Sequence, residues 1–168
     1  MKRFRDVAVC VIALTGCASS QIGDTSTNSV RKSDTATVVE VIDGDTIDIR
    51  IGGRTESVRL IGIDTPETKH PRKPVQCYGH EASAFTAGAL PVGTPVRIER
   101  DIEARDVYDR LLAYVFRLSD DMFINLQLAR QGYARVLTIK PNAAYLSEFV
   151  AAANKAKTEN LGLWQACR

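Results

Sequence analysis

Four of the five acids and both arginines in residues 41–46, 58–71 and 108–114 carry the chemistry this chain can offer. Asp45, Asp64, Thr65 and Glu67 supply oxygen donors alone, from carboxylates and a backbone carbonyl, and a hard divalent cation takes several such oxygens. Neither Cys nor His is in the set, which argues against zinc and leaves calcium, magnesium or manganese. Ca2+ is favoured, because the ligand set is sparse and the amino terminus, described below, directs the chain out of the cytosol. Arg59 and Arg110 add planar guanidinium forks, which suit phosphoryl oxygens on which negative charge builds during phosphodiester cleavage. Glu67 can orient or deprotonate an attacking water. Each residue taken alone has an ordinary reading. An Asp-Gly-Asp at 43–45 shapes a turn, and an arginine between apolar strand residues snorkels or pairs at the surface. The joint pattern is what points to phosphodiester chemistry, with Asp43 as a neighbouring acid and Tyr108 beside the second arginine.

These residues need a scaffold that gathers separate segments at one place. The β-branched run 35–42, the turn at 43–45 and the alternating run 46–51 predict a hairpin. Gly52-Gly53 makes a second turn, and 57–63 returns as a third strand. A meander of this kind brings Asp45, in a turn, and Asp64, at a strand exit, to the same end of the sheet. Residues 64–78 contain three prolines and several charges and suit a long irregular surface loop. Helix-compatible spacing covers 79–90, strands follow at 95–100 and 111–118, and a short helix is expected over 122–130 with Gly132 just beyond its end. Asn142 is placed to cap a last helix that runs to about residue 157, after which 161–164 packs back as an apolar segment. Five short strands with helices after the third and fifth suggest a small closed barrel, mainly β with α.

The first residues are targeting sequence. Lys2, Arg3 and Arg5 precede an apolar run, 7–14, that is too short to cross a bilayer as a helix, the form of a signal peptide. It ends in Leu14-Thr15-Gly16-Cys17, which resembles the lipobox of bacterial lipoproteins, so residues 1–16 are expected to leave and Cys17 to carry lipid as the mature amino terminus. Residues 17–34 hold few apolar side chains and form a tether, and 35–168 form the folded domain. Loss of 1–16 removes three of 22 basic and one of 20 acidic residues, which leaves 19 of each. No global field steers a polyanion to a neutral domain, so any phosphate contact depends on local arginines. Of the four cysteines only Cys77 and Cys167 are then uncommitted, in a compartment where disulfides persist; they are able to pair or to stay as buried thiols.

Residues 36–164 resemble staphylococcal nuclease along nearly their whole length. Asp64-Thr65-Pro66-Glu67-Thr68-Lys69-His70-Pro71 is a highly specific match, extended by Tyr78-Gly79 and by Glu81-Ala82-Ser83-Ala84-Phe85-Thr86. The resemblance implies a five-stranded OB-fold barrel with three helices, a monomer, and calcium-dependent hydrolysis of DNA and RNA to 5′-hydroxyl and 3′-phosphate ends. It implies that Asp45, Asp64 and the Thr65 carbonyl bind Ca2+, with Asp43 just outside them. Glu67 would assist the attack of water, Arg59 and Arg110 would stabilise five-coordinate phosphorus, and Tyr108 would contact a terminal phosphate. The chain departs from the family at four positions. Val107 replaces a lysine, Leu137 and Ile139 replace an aromatic pair beside the nucleotide, and Asp109 replaces a glycine, where it is expected to exclude a glycine-only backbone conformation. The alternatives are an OB-fold lipoprotein that binds single-stranded nucleic acid without cutting it, and a structural lipoprotein that uses calcium for stability alone. Together these features predict an extracytoplasmic enzyme anchored through Cys17 to a membrane, with nucleic acid as its substrate and no protein partner implied.

Overall fold

The β-branched residues that open the domain form a strand longer than the sequence suggests. In the computed structural model, which describes residues 33–69, 72 and 74–167, β1 runs Ser33–Asp43 and pairs antiparallel with β2, Thr46–Ile51, and with β5, Pro95–Glu99. Ser33 and Asp34 lie opposite Glu99 and Ile98, so pairing begins inside the segment expected to be tether. The signal, Cys17, His70 and Pro71 lie outside the described residues.

Gly52 and Gly53 turn the chain from β2 into β3, Arg54–Leu60. The expected single strand over 57–63 is instead broken at Ile61, and the chain re-enters a second, small sheet as β4, Gly62–Asp64, against β8, Arg135–Leu137. The corner depends on Gly62. Its φ is 85°, and a Cβ there would stand 2.2 Å from the Phe149 ring, so neither the dihedral nor the space admits a larger residue. Asn125 fixes the same corner by donating to the carbonyls of Ile61 at 2.9 Å and Ala113 at 3.2 Å.

The main sheet has the order β3-β2-β1-β5-β6-β7, where β6 is Leu111–Arg117 and β7 is the short Met122–Phe123. A parallel pairing of β3 with β6, Val58 opposite Leu111, closes β1, β2, β3, β5 and β6 into a five-stranded barrel. Closure leaves those strands without an open edge. Ile47, Ile49, Val58, Leu60, Ile98 and Leu112 fill the interior and are almost wholly removed from water. Burial of each such side chain is worth about 1.5–3 kcal/mol, which makes this interior the main source of rigidity for whatever the strand ends carry.

Among the described residues, four helices flank the barrel. Helix α1, Gly79–Ala89, follows the irregular loop; α2, Ile124–Arg130, follows β7; and α3, Leu146–Thr158, covers Gly62 with Phe149. Three differences from expectation have local causes. Residues 122–123 pair with β6 before the second helix can begin. Asn142 does not cap α3; it is buried and bonds the N–H and carbonyl of Glu103 at 2.7 and 3.0 Å, so the helix starts later, after Tyr145. The apolar closing segment forms one more turn of helix, α4, Leu163–Ala166, seated by buried Leu163. No helix among the described residues is long and apolar enough to cross a membrane. Cys77 and Cys167, 90 residues apart, are joined in a disulfide.

Candidate active site

One polar concavity at the end of the barrel gathers Asp43, Asp45, Arg59, Asp64, Glu67 and Arg110, together with Thr46, Thr65 and Gln76. The strand registers explain the meeting. Asp43 and Thr46 close the β1–β2 turn opposite one another, and Thr46 in turn faces Arg59 across β2 and β3. The break at Ile61 then sends Asp64 back to the same end of the sheet. Arg110 immediately precedes β6, whose first residue pairs with Val58, so the closing pair of the barrel is what brings the second arginine in.

Asp45 is the most enclosed acid, 6% exposed. Its Oδ2 accepts hydrogen bonds from the N–H and hydroxyl of Thr65 at 2.8 and 2.9 Å and lies 3.0 Å from Arg59 Nη1. Gly44 permits this approach, since a Cβ there would fall 2.8–2.9 Å from the Thr65 side chain. Arg59, 7% exposed, donates from Nη1 to the carbonyls of Leu60 and Ile63 at 2.8 and 3.1 Å and from Nη2 to Asp64 Oδ1 at 2.7 Å. Burial pushes the Asp64 carboxyl above its ordinary range despite the pull of Arg59, and the negative charge of Asp45 adds to the rise. Two like charges held close and partly desolvated are an arrangement that a cation relieves.

Asp43 and Glu67 divide their roles electrostatically. Asp43 is raised by burial and by its side-chain hydrogen bond with Glu67, although the N–H of Gly44 and the hydroxyl of Thr68 favour its anion. Glu67 is lowered, above all by the Lys69 N–H, 2.7 Å from its Oε1. Of the two, Asp43 thus holds a proton more readily than Glu67.

The second arginine is held from a loop. Arg110 Nε and Nη2 meet Asp106 Oδ2 at 2.8 and 2.7 Å, while Asp106 Oδ1 accepts from the backbone N–H groups of Tyr108 and Arg110. Burial opposes ionisation of Asp106, but these bonds outweigh it and hold its carboxyl below the ordinary value. Asp109 does not exclude the glycine-type conformation expected to be lost: it adopts φ 65° itself, and its carbonyl accepts from Arg105 Nη1. Asp is among the few side chains that enter this region readily, so the turn survives the replacement. Tyr108 is 77% exposed and does not line the concavity; its ring stands 5.4 Å from the Arg110 guanidinium carbon. Val107 and Leu137 are exposed and Ile139 packs against the core; all three are aliphatic, so none offers a stacking face.

Asp106 and Gln76 are site residues that sequence reasoning missed. The four-residue spacing of Asp106 and Arg110 was a weak signal; Gln76 gave none, because its role comes from a loop folding back on itself. For a metal, the donor chemistry fits a hard cation, with two carboxylates and the Thr65 segment converging and no sulfur or imidazole nearby. No cluster of three or more Asp, Glu, His or Cys suited to a metal occurs among the described residues, so carbonyl and water oxygens would have to complete the shell.

Known proteins resemble the chain over most of its length. Residues 57–166 match a family model described as staphylococcal nuclease homologue, a span that includes Arg59, Asp64, Glu67 and Arg110 and begins after Asp45. The chain is 48% identical over 128 residues to a thermonuclease of Staphylococcus intermedius, covering 76% of this chain and 74% of that one. It is 43% identical over 127 residues to a thermonuclease of Staphylococcus hyicus, covering 76% and 73%. Over 130 residues it is 38% identical to endonuclease YncB of Bacillus subtilis, covering 76% and 60%.

Proposed function

Because the chain belongs to the staphylococcal nuclease family and is a nuclease that hydrolyses phosphodiester bonds, we propose that it cleaves DNA and RNA with the help of Ca2+, to 5′-hydroxyl and 3′-phosphate ends. The observation that carries this reading is the convergence of two arginines, a glutamate and three aspartates in one polar concavity.

In this reading Asp45, Asp64 and the Thr65 carbonyl would hold the cation, which when bound offsets negative charge on the phosphoryl group. Glu67 accepts a hydrogen bond from the attacking water and takes its proton as the oxygen adds to phosphorus. Arg59 and Arg110 would meet the phosphoryl oxygens, and their forks gain strength as charge grows there. The bond from phosphorus to the 5′ oxygen breaks, that oxygen takes a proton, and the phosphate remains on the 3′ side. Loss of the aromatic pair at Leu137 and Ile139 leaves backbone phosphates, not bases, as the main handle on substrate.

Cleavage of single-stranded DNA, assayed with Ca2+ and with excess chelator and read by mass spectrometry of the product ends, tests metal and mechanism together. Calcium-dependent release of 3′-phosphate ends is expected, and Glu67→Gln should cost about a thousandfold in kcat, consistent with loss of a general base. Chelator-resistant cleavage, or 5′-phosphate ends, would refute the calcium mechanism. We also propose that the mature protein lies outside the cytoplasm, as a monomer whose folded domain, from Ser33 onward, is tethered by the residues before it to a lipid on Cys17. Metabolic labelling with a fatty acid, abolished by Cys17→Ala, is the expected result; labelling that persists in the variant overturns the anchor.

A further inference from the structure

Glu67 lies in neither a helix nor a strand, so its position depends on what grips the 65–78 loop. One grip is Thr68, whose hydroxyl donates to Asp43 Oδ1 at 2.9 Å. The other is Gln76. Its Oε1 accepts from the Glu67 N–H at 3.0 Å, and its own N–H donates to the Glu67 carbonyl at 2.9 Å. Both backbone groups of Glu67 are thus satisfied by one residue. The seat is completed by Gly79, where a Cβ would meet Thr68 Cγ2 at 2.8 Å and the Pro66 carbonyl at 3.0 Å, so 66–68 rests directly on the start of α1.

The residue after Gln76 is Cys77, bonded to Cys167. Cys167 is itself well anchored. Its N–H donates to the Leu163 carbonyl at 3.0 Å, buried Leu163 donates to the Gly132 carbonyl at 2.8 Å, and Gly132 follows α2. A covalent and hydrogen-bonded connection therefore runs from α2 through α4 to the neighbour of the residue that holds Glu67. The two cysteines also border a recess shared with Asp64, Thr65 and Gln76.

We propose that the Cys77–Cys167 disulfide is a positioning element for Glu67, acting through Gln76. Oxidised, it keeps the glutamate turned toward the reacting phosphate; reduced, the barrel persists but the glutamate is aligned less of the time. The proposal rests on the role given to Glu67 above. It makes cleavage responsive to thiols: a dithiol reductant delivers two electrons and two protons to the bridge, leaves two cysteine thiols and becomes a disulfide itself. Cys77 occupies an exposed position, open to such a reagent.

The test uses the full chain carrying Cys77→Ser with Cys167→Ser, assayed on single-stranded DNA at a temperature where circular dichroism shows it folded. A fall in kcat of about tenfold with little change in KM is expected, since small displacements of a catalytic group carry costs of that size or more. Gln76→Ala should fall similarly. The deciding measurement is the same double substitution in two further backgrounds. In Glu67→Gln it should cost less than about twofold, whereas in Arg110→Ala the tenfold loss should remain. An unchanged kcat, or an equal loss in both backgrounds, overturns the proposal. If the serine variant does not fold, oxidised and dithiol-reduced wild-type protein are compared at low temperature, where equal rates overturn it. Failure of oxidised wild-type protein to cleave at all would instead remove the catalytic reading beneath it.

Discussion

Arg59 and Arg110 reach the same concavity from opposite kinds of ground. Arg59 is held by the barrel: its side chain is 8% exposed and bonds two backbone carbonyls and Asp64 from between paired strands. Arg110 is held by a turn: its side chain is 30% exposed, and its grip is one carboxylate four residues earlier in the same loop. The first arginine is part of what makes the barrel end stable, while the second can be lost with little effect on the fold. A site built this way seats one arginine in the barrel and carries the other on a turn.

The sharpest way to break that comparison is to remove each arginine in turn. Arg59→Ala and Arg110→Ala should both lower kcat/KM by about a thousandfold or more, as expected for groups that meet charge formed only in the transition state. Their stabilities should diverge. Arg59→Ala leaves the Asp45 carboxylate buried beside Asp64 without its counter-charge, at about 3 kcal/mol, toward the low end for broken buried pairs because Asp64 is half-exposed. Arg110→Ala should cost less, about 1 kcal/mol, since its pair is only partly buried, with side chains 30% and 13% exposed. Urea titrations of both variants check this, and equal losses would erase the distinction.

A smaller effect is expected at Asp106. Asp106→Asn keeps a side-chain oxygen for the N–H groups of Tyr108 and Arg110 but removes the charge that holds the guanidinium. It should lower kcat by about tenfold and leave KM nearly unchanged, a positioning loss. The pH dependence has a fixed sign. Because the Asp106 carboxyl is depressed below 3.8 in the folded chain, its stabilisation is complete above the ordinary carboxylate range and fades only as pH falls through the depressed value. The stability difference between wild type and Asp106→Asn should therefore be flat at neutral pH and shrink only below about pH 3 to 4. A difference that shrinks already at pH 6 would assign it to another group.

The smallest effect belongs to Asp109. Asp109→Gly removes the cost of a side chain at φ 65° and the long, exposed 3.5 Å pairing with Arg105, while the Arg105 bond to its backbone carbonyl can remain. A gain of at most about 1 kcal/mol and cleavage within about twofold of wild type are expected, because Asp tolerates the left-handed region. A large change in rate would show that the loop arginine depends on this residue more than the geometry implies.

Sequence alone determined the chemical types of the side chains at the site and most of the element order. Oxygen-only acids, two arginines and a glutamate are chemical types, and their meaning does not depend on knowing where the chain goes. Alternation at 46–51 and the turn glycines likewise act over a few residues, so β1 to β3, α1 and the strands after it were legible. Tertiary structure decided what depends on distant partners. Ile61 breaks a strand because Asn125, 64 positions away, holds its carbonyl. Asn142 abandons a cap for Glu103. Gln76 reaches Glu67 only because the loop doubles back, and Cys77 meets Cys167 because α4 delivers it. Local backbone preference is written residue by residue, whereas these contacts exist only once barrel closure has brought remote segments within bonding distance.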